Sequence, residues 1–406
     1  MCHVKSLTTL LALVLLLSAC ASGPGSREQQ PLTPLQQAST ELPEADVMNV
    51  NIVTFDADIP TGDDPQIELI YRDIRAAEAR YIPYQLRQTL VASGQWGDVR
   101  VIPESMPASQ LEVQGRILES HGEELKLQIS AVDASGRVWL DRQYQGYADV
   151  SAYPSRRAGI NEPFLDVYHR IANDLVAQRR RLAAADKLEI QRLASIKFAA
   201  DLAPQAYAQY LHERKGRLTL AATPPADDAL MSRIELAAER DARMVDVLDQ
   251  YYLDFYQRMQ QPYFDWRASS YQEIQNLREL QRQARTRKAL GIMAILGGIV
   301  GLVEADGNTG ATLSTIAIAG GIYSLSSGID KGRQQNMHVA SLRELARSLS
   351  TDMQPRNMQL QDRTVRLTGS AEIQYREWRR ILADMLVADQ LETNSDDSNS
   401  SEENAE

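Results

Sequence analysis

The chain has 406 residues and a formal net charge of −11, from 43 basic and 54 acidic side chains. Residues 384–406 hold eight acids and no base, so the rest of the chain carries 43 bases against 46 acids. Such a nearly neutral body lacks the basic surface of nucleic-acid-binding proteins, and we expect no nucleic-acid partner. The length predicts two or three domains.

The amino terminus has the pattern of a bacterial secretion signal over residues 1–19. Lys5 precedes the apolar run Leu7–Leu17, which is shorter than the ~20 residues that span a bilayer. Residues 17–20, LSAC, resemble the lipobox of bacterial lipoproteins, which implies that Cys20 is lipidated; the alternative is an ordinary signal with a chance cysteine. Because Ala21 and not aspartate follows, the enteric sorting rule implies an outer-membrane lipoprotein that faces the periplasm.

The mature chain then keeps a single cysteine, because Cys2 leaves with the signal. An internal disulfide, a cysteine-based zinc site and a thiol nucleophile are therefore excluded. Residues 20–43 are rich in Pro, Gly, Ser and Gln and predict a flexible tether after the lipidated Cys20.

Residues 44–183 predict an α+β domain with the element order β-α-β-β-β-β. We expect a strand over Val47–Phe55, a helix over Ile67–Ser93 with a break or kink at Pro83, and strands over Val99–Ile102, Leu111–Leu118, Leu125–Val132 and Val138–Tyr147. The turn Asp133–Gly136 joins the last two strands as a hairpin. Pro163–Leu182 has the period of an amphipathic helix that packs on the sheet.

This domain resembles a recurring domain of envelope lipoproteins. Residues 86–103 carry a helix end and a small-residue turn before a strand, residues 111–120 a strand of the lxGxI type, and residues 125–150 a hairpin with a D-x-x-G-x-V/L-W turn. The matching positions are Gly94, Gly115, Ile117, Asp133, Gly136, Val138 and Trp139. The domain occurs in the curli secretion lipoprotein, in activator lipoproteins of penicillin-binding proteins and in auxiliary lipoproteins of ABC-type transporters. The resemblance implies a shared fold, an envelope setting and an interaction role without choosing the partner, and its matching positions are structural.

The period is helical from residue 184 onward, so the fold class is an α+β domain followed by a mainly α-helical region. The predicted regions are a helical region over 184–288, a glycine-rich apolar hairpin over 289–333, a helical carboxy-terminal region over 334–388 and a disordered acidic tail over 389–406. Within them we expect one or two helices over Ala184–Tyr210, a long helical region over Ala229–Arg287 broken near Gln261-Pro262, helices over Ser341–Leu349 and Ser370–Leu386, and a short strand or linker over Arg363–Gly369.

Eight aromatic residues fall between Tyr251 and Tyr271. Their spacing places several on one helical stripe, which favours core packing between helices. The alternative is a partner-binding surface, since Tyr and Trp give a large contact area with a polar end. Its candidate residues are Tyr252, Tyr256, Tyr263 and Trp266.

The sequence contains no recognisable catalytic or ligand-binding set. The four mature histidines lack metal-ligand spacing, and neither a G-x-S-x-G elbow nor a phosphate-binding G-x-x-x-x-G-K-[ST] loop occurs. We therefore expect no enzyme activity, no metal and no cofactor.

Ala289–Ile329 consists of two apolar runs around a short acidic loop. Gly297 and Gly301 have the G-x-x-x-G spacing of close helix packing, and Gly320 and Gly321 lie in the second run. The first run has 15 uncharged residues, too short for a ~30 Å hydrocarbon core, so a buried or partner-covered helical hairpin is favoured. The alternative is a hairpin that enters the membrane or lines a pore.

These observations predict a lipid-anchored periplasmic scaffold or accessory subunit of an envelope assembly or transport complex. Its partners are membrane lipid, through Cys20, and an envelope protein, and self-association into a homo-oligomer is compatible with the sequence. The alternative is a subunit of an oligomeric secretion channel, by analogy with the curli secretion lipoprotein.

Overall fold

A computed structural model describes residues 32–59, 65–148, 150–153, 162–297, 344, 353–360 and 363–386. The chain divides into two compact units, Met1–Thr33 and Pro34–Glu406, and every element below belongs to the second. The predicted signal, the lipidation site Cys20, Gly301, Gly320, Gly321, the acidic tail and most of the helix predicted over Ser341–Leu349 lie outside the described residues. The predicted domain boundaries stay predictions.

A five-stranded mixed sheet forms the centre of the α+β domain. Its strands are β1 (Val50–Val53), β2 (Val99–Ile102), β3 (Leu111–Ser120), β4 (Glu124–Asp133) and β5 (Val138–Tyr147). The order across the sheet is β2-β1-β3-β4-β5, with β1 parallel to both neighbours and β3, β4 and β5 antiparallel. This confirms the predicted α+β class and element order. β1 is shorter than the predicted strand because only its four central residues pair.

Strand alternation builds the core of the domain on one face of the sheet. The side chains of Leu125, Leu127, Ile129 and Ala131 in β4 are fully buried, whereas the residues between them are polar or half-buried. The helices α1 (Pro65–Ser93) and α2 (Leu165–Arg180) contact the sheet and each other. One polar face of the sheet is therefore left towards solvent on β3, β4 and β5.

Two local predictions about this domain are confirmed by the turns. Gly94 ends α1 with φ +60°, and Gly136 closes the β4–β5 hairpin with φ +80°, backbone angles that favour glycine. Asp133 accepts hydrogen bonds from the amides of Ser135 and Arg137 and, at 2.8 Å, from the indole Nε1 of Trp139. Trp139 is buried, as expected, and α1 continues through Pro83 without a break.

Pro34–Ala38, which lies within the predicted tether, is bound to the domain. The amide of Gln36 donates to Asn173 Oδ1 (2.8 Å), and Asn173 Nδ2 donates to the carbonyl of Pro34 (2.9 Å). The amide of Ala38 donates to the carbonyl of Ser93 (2.8 Å). These bonds join the segment to α2 and to the end of α1.

The region after residue 183 contains a β-hairpin that was not predicted and a helix that is longer than predicted. α3 (Ala184–Leu202) is followed by a hairpin of β6 (Leu211–Arg214) and β7 (Arg217–Leu220), whose short, polar strands gave no apolar alternation. α4 (Ala229–Gly297) is one continuous helix of 69 residues, so the predicted break near Pro262 is wrong. Met259 and Tyr263 are buried on either side of Pro262, and their packing holds the helix together despite one missing N–H.

The carboxy-terminal region adds a hairpin and a helix. β8 (Met353–Leu360) pairs antiparallel with β9 (Arg363–Gly369), and α5 covers residues 371–386. The predicted strand over Arg363–Gly369 and the last predicted helix are confirmed, whereas β8 was not predicted. The amide of Gln374 donates to the carbonyl of Ser370 at the start of α5.

Candidate functional site

The buried face of α4 joins this long helix to several other elements of the fold. It carries residues at helical spacing from Ile234 to Ile274 and contacts α1, α3 and the edge strand β2. Tyr252, Tyr256, Tyr263 and Trp266, the candidates for a partner surface, all belong to it and are at most 8% exposed. The structure thus brings these four together as core residues, which is the interpretation that their helical stripe favoured.

A cluster of buried polar groups, here called the central cluster, joins α4 to α1 and β3. Glu78 of α1 accepts hydrogen bonds through Oε1 from Ser120 Oγ (2.5 Å) and from Tyr263 OH (2.6 Å). Arg75 lies one turn earlier, with its Nε 3.7 Å from Glu78 Oε2 and its Nη1 3.3 Å from the carbonyl of Ile117. All four side chains are at most 2% exposed, so each depends on its protein partners for hydrogen bonds.

Arg267 of α4 extends the central cluster to the segment before α2. Its Nη1 donates to Glu162 Oε1 at 2.9 Å, and its Nη2 donates to Tyr263 OH. The guanidinium also lies over the rings of Tyr263 and Phe164, with centroid distances of 4.2 and 4.6 Å. Arg267 is 1% exposed, and this combination of carboxylate and ring faces suits arginine, whose planar cation both stacks and donates.

Burial and neighbouring groups act in opposite directions on the pKa values of Glu162 and Arg267. Burial raises the pKa of Glu162 above its ordinary value, and the cation of Arg267 and the Phe164 amide lower it only in part. Burial also lowers the pKa of Arg267, but Tyr263, Glu162 and Tyr168 more than offset this and hold the pKa well above its ordinary value. Arg267 is thus a permanent buried cation, and its surroundings are arranged to accept from it.

The turn between β3 and β4 presses directly on the backbone of α4. A Cβ on Gly122 would lie 2.0 Å from the carbonyl oxygen of Arg267 and 2.3 Å from the amide nitrogen of Tyr271. The Gly122 amide donates to Ser270 Oγ (3.3 Å), and its carbonyl accepts from Tyr153 OH. Only glycine fits this position, because the opposing atoms belong to the main chain and cannot change rotamer.

A second contact lies about five helical turns nearer the start of α4 than Arg267, against the edge strand β2. Asp249 accepts the backbone N–H of Val101 at 2.8 Å and pairs with Arg87 at 2.7 Å, while Asp246 pairs with Arg100 at 2.6 Å. Burial raises the pKa of Asp249, and the Val101 amide and Arg87 lower it in part. A helix carboxylate thus takes the place of the next strand at this edge.

A third contact joins α4 to α5 and α3. Asp241 lies 3.4 Å from Arg379 Nη1 and 3.5 Å from Tyr375 OH, and Arg379 also pairs with Asp201 of α3. Burial raises the pKa of Asp241, and Arg379 lowers it in part. From Asp241 to Arg267 the three contacts cover roughly 40 Å of helix at about 1.5 Å per residue. They fix this part of α4 rigidly to the domain.

The contacts of α4 are hydrogen bonds, ion pairs and aromatic packing between elements of the fold. In the part of the chain that the structure describes, no group of three or more His, Cys, Asp or Glu side chains could hold a metal ion. Two surface depressions beside α4 measure about 110 and 120 Å³, well below the ~300 Å³ at which small-molecule sites begin. His121 accepts the amides of Glu123 and Glu124 through Nδ1, which makes it a turn-stabilising residue.

Of the glycines proposed for the apolar hairpin, Gly297 is the last described residue of α4. No helix among the described residues is long and apolar enough to cross a membrane. The other members of that set lie outside the described part, so the choice between a buried and a membrane-inserted hairpin stays open.

The chain matches no protein-family model, and no curated protein is significantly similar to it.

The decisive residues of the central cluster, Glu78, Glu162 and Arg267, were not found by sequence reasoning. Two of them are single carboxylates among 54 acids, and they come from segments far apart in the chain. The spacing of Tyr263 and Arg267 gave a partial indication, because residues four apart lie on the same face of a helix and Arg267 therefore falls on the aromatic stripe. A buried-stripe position occupied by arginine is unusual and could have marked Arg267.

Proposed function

We propose that this protein is a lipid-anchored scaffold or accessory subunit of an envelope assembly or transport complex, on the periplasmic face of the outer membrane. The observation that carries the proposal is α4, a continuous helix of 69 residues whose first part is bonded to the α+β domain. Such a helix would be roughly 100 Å long at about 1.5 Å per residue. It links the domain rigidly to the start of the apolar run at Ala289.

The role assigned to each part follows from this arrangement. Cys20 holds the chain on the membrane, and the α+β domain supplies a stable body. The α4 helix carries the first residues of the glycine-rich run, 289–297, away from that body. A non-catalytic role is part of the proposal, because polar groups along α4 are engaged in hydrogen bonds and ion pairs with neighbouring elements.

Chemical cross-linking of intact cell envelopes tests the scaffold role. We expect the tagged full chain to give complexes of defined mass with other envelope proteins, and Arg267→Met, which loosens α4, to give fewer of them. Recovery of the monomer alone would refute the scaffold role. Detergent-extracted particles that form rings in electron micrographs would favour the secretion channel instead.

Cys20→Ser tests the anchor. We expect the variant to appear in the soluble periplasmic fraction, while the parent chain sediments with outer membranes after a high-salt wash. A variant that still sediments after this wash would show that another segment anchors the chain.

A further inference from the structure

The outer edge of β5 presents backbone groups to solvent. The amide of Ala148 donates towards β4, to the carbonyl of Glu123 at 2.9 Å. Backbone direction alternates along a strand, so the N–H and C=O groups of Asp141, Gln143 and Gln145 point away from β4. Of these six backbone groups, only the carbonyl of Gln145 has a partner within the described part of the chain, Arg170 Nη2 at 2.5 Å. A carbonyl oxygen can accept a second bond.

The side chains of this strand have a symmetric pattern. Val138 at one end is 60% exposed and Tyr147 at the other end is 43% exposed, two of the few large apolar side chains that face solvent. Asp141, Arg142 and Gln143 in the middle are polar and exposed. A strand with apolar ends and a polar centre is complementary to itself when it runs in the opposite direction.

We propose that the outer edge of β5 pairs antiparallel with the same edge of a second copy of this chain, with Gln143 of the two copies opposite each other. The two Gln143 residues then exchange their backbone hydrogen bonds, and Asp141 of each copy faces Gln145 of the other. Arg142 faces Tyr144, and Tyr147 lies beside the Val138–Trp139 end of the second strand. This buries the apolar ends of both strands.

Charge favours this register over its neighbour. With Gln143 on the two-fold axis, no two like charges are directly opposite. A shift that places Arg142 on the axis would set the two arginines against each other, which destabilises an antiparallel pair. The sheet that results has ten strands and a sealed centre, and its outer edges are the two β2 strands, each covered by α4. This inference does not depend on the proposed scaffold role.

Opposite charges at position 143 provide the test, because the residue meets itself at the axis. The full chain, extracted in detergent and carrying either of two tags, is studied by sedimentation and co-purification. We expect Gln143→Lys and Gln143→Glu each to weaken self-association by about fivefold or more, and their mixture to restore it as a mixed dimer. The same changes at Gln114, which is exposed on the open face of β3, should have no effect.

Two results would overturn the proposal. One is self-association of the position-143 variants that equals that of the parent, or a parent chain that stays monomeric at every concentration. The other comes from Gln143→Cys labelled with a benzophenone maleimide and irradiated in cell envelopes. An adduct of twice the chain mass supports the second copy. An adduct with a different protein, or none at all, refutes it.

Discussion

The two edges of the sheet differ in how their backbone groups are satisfied. At β2 the amide of Val101 donates to Asp249 of α4, and Arg100 is paired with Asp246, so a helix closes this edge. At β5 the backbone of Asp141 and Gln143 has no partner within the described part of the chain, and exposed polar side chains surround it. Covering an edge strand and lining it with polar side chains both limit unwanted strand pairing, but only the polar β5 edge stays able to pair with another strand.

We therefore expect the β2 edge to contribute mainly to the stability of the fold and the β5 edge to contribute mainly to association. The β2 side is joined to α4 by two ion pairs and by the hydrogen bond from Val101 to the buried Asp249, so changes there should be costly to the fold. At the β5 edge the outward backbone N–H and C=O groups are exposed to solvent, so changes there should affect association and leave the fold largely intact. Four substitutions test this contrast.

The largest effect is expected for Arg267→Met on the α4 side. The change leaves Glu162 buried without its cation, and we expect the free energy of unfolding to fall by about 3–5 kcal/mol. Chemical denaturation measures it. Arg116→Met is the matched control, because Arg116 pairs with Asp56 at 3.1 Å while both side chains are 57% exposed, and such pairs contribute about 0–1 kcal/mol. Replacing Glu162 by leucine together with Arg267→Met should recover part of the loss.

Gly122→Ala should have the next largest effect, since the added Cβ would overlap the main chain of α4. We expect a loss of about 1–3 kcal/mol, the usual cost of overpacking. Hydrogen exchange in α4 near Tyr271 should also become faster. Gly146→Ala on β5 is the control: its Cβ would lie 2.5 Å from a Val167 side-chain methyl, which can move aside. Equal losses for the two variants would show that α4 is not pressed against the turn.

Asp249→Asn tests the closed edge directly and carries a pH dependence. The amide oxygen can still accept the Val101 N–H, but the amide NH2 group cannot accept the hydrogen bond that Arg87 Nη2 donates to Asp249 Oδ2, so we expect a cost of about 1–2 kcal/mol. Burial raises the pKa of Asp249, so the folded chain takes up this proton more readily than the unfolded chain. The contribution of this group is therefore greatest at acid pH and is lost as the pH rises through the raised value.

The cost of Asp249→Asn should accordingly be larger near pH 4 than at pH 7. Denaturation of the parent and variant across this range measures the difference. A cost that grows with pH would mean that the carboxylate is stabilised as an anion, and the assignment of burial as the main cause would be wrong.

The sequence predicted the sheet better than the contacts that hold α4. The bounds predicted for β2 and β5 agree with the structure to the residue. Period-two alternation is clearest in β4, where every second residue is buried against the core. The central cluster could not be predicted in this way. Glu78, Glu162 and Arg267 are brought together by tertiary packing. Sequence periodicity does not identify which acidic residue pairs with which basic residue when they are far apart in the chain. The continuity of α4 through Pro262 was missed for a related reason, since packing on both sides of the proline outweighs its local preference.

The smallest effect is expected at the open edge, from Gln143→Pro. Proline removes an N–H, and at Gln143 this N–H points away from β4, so the ladder of the monomer should be unchanged. In dilute protein we expect Gln143→Pro to lie within about 0.5 kcal/mol of Gln143→Ala. Arg142→Pro, one residue away, removes an N–H that points into the sheet and should cost about 1–3 kcal/mol more than Arg142→Ala. The alanine variants account for lost side-chain contacts, including the pair of Arg142 with Asp174 at 3.0 Å. If the two proline variants lose the same stability, the backbone of Gln143 is already bonded in the monomer, and the edge of β5 is closed as firmly as that of β2.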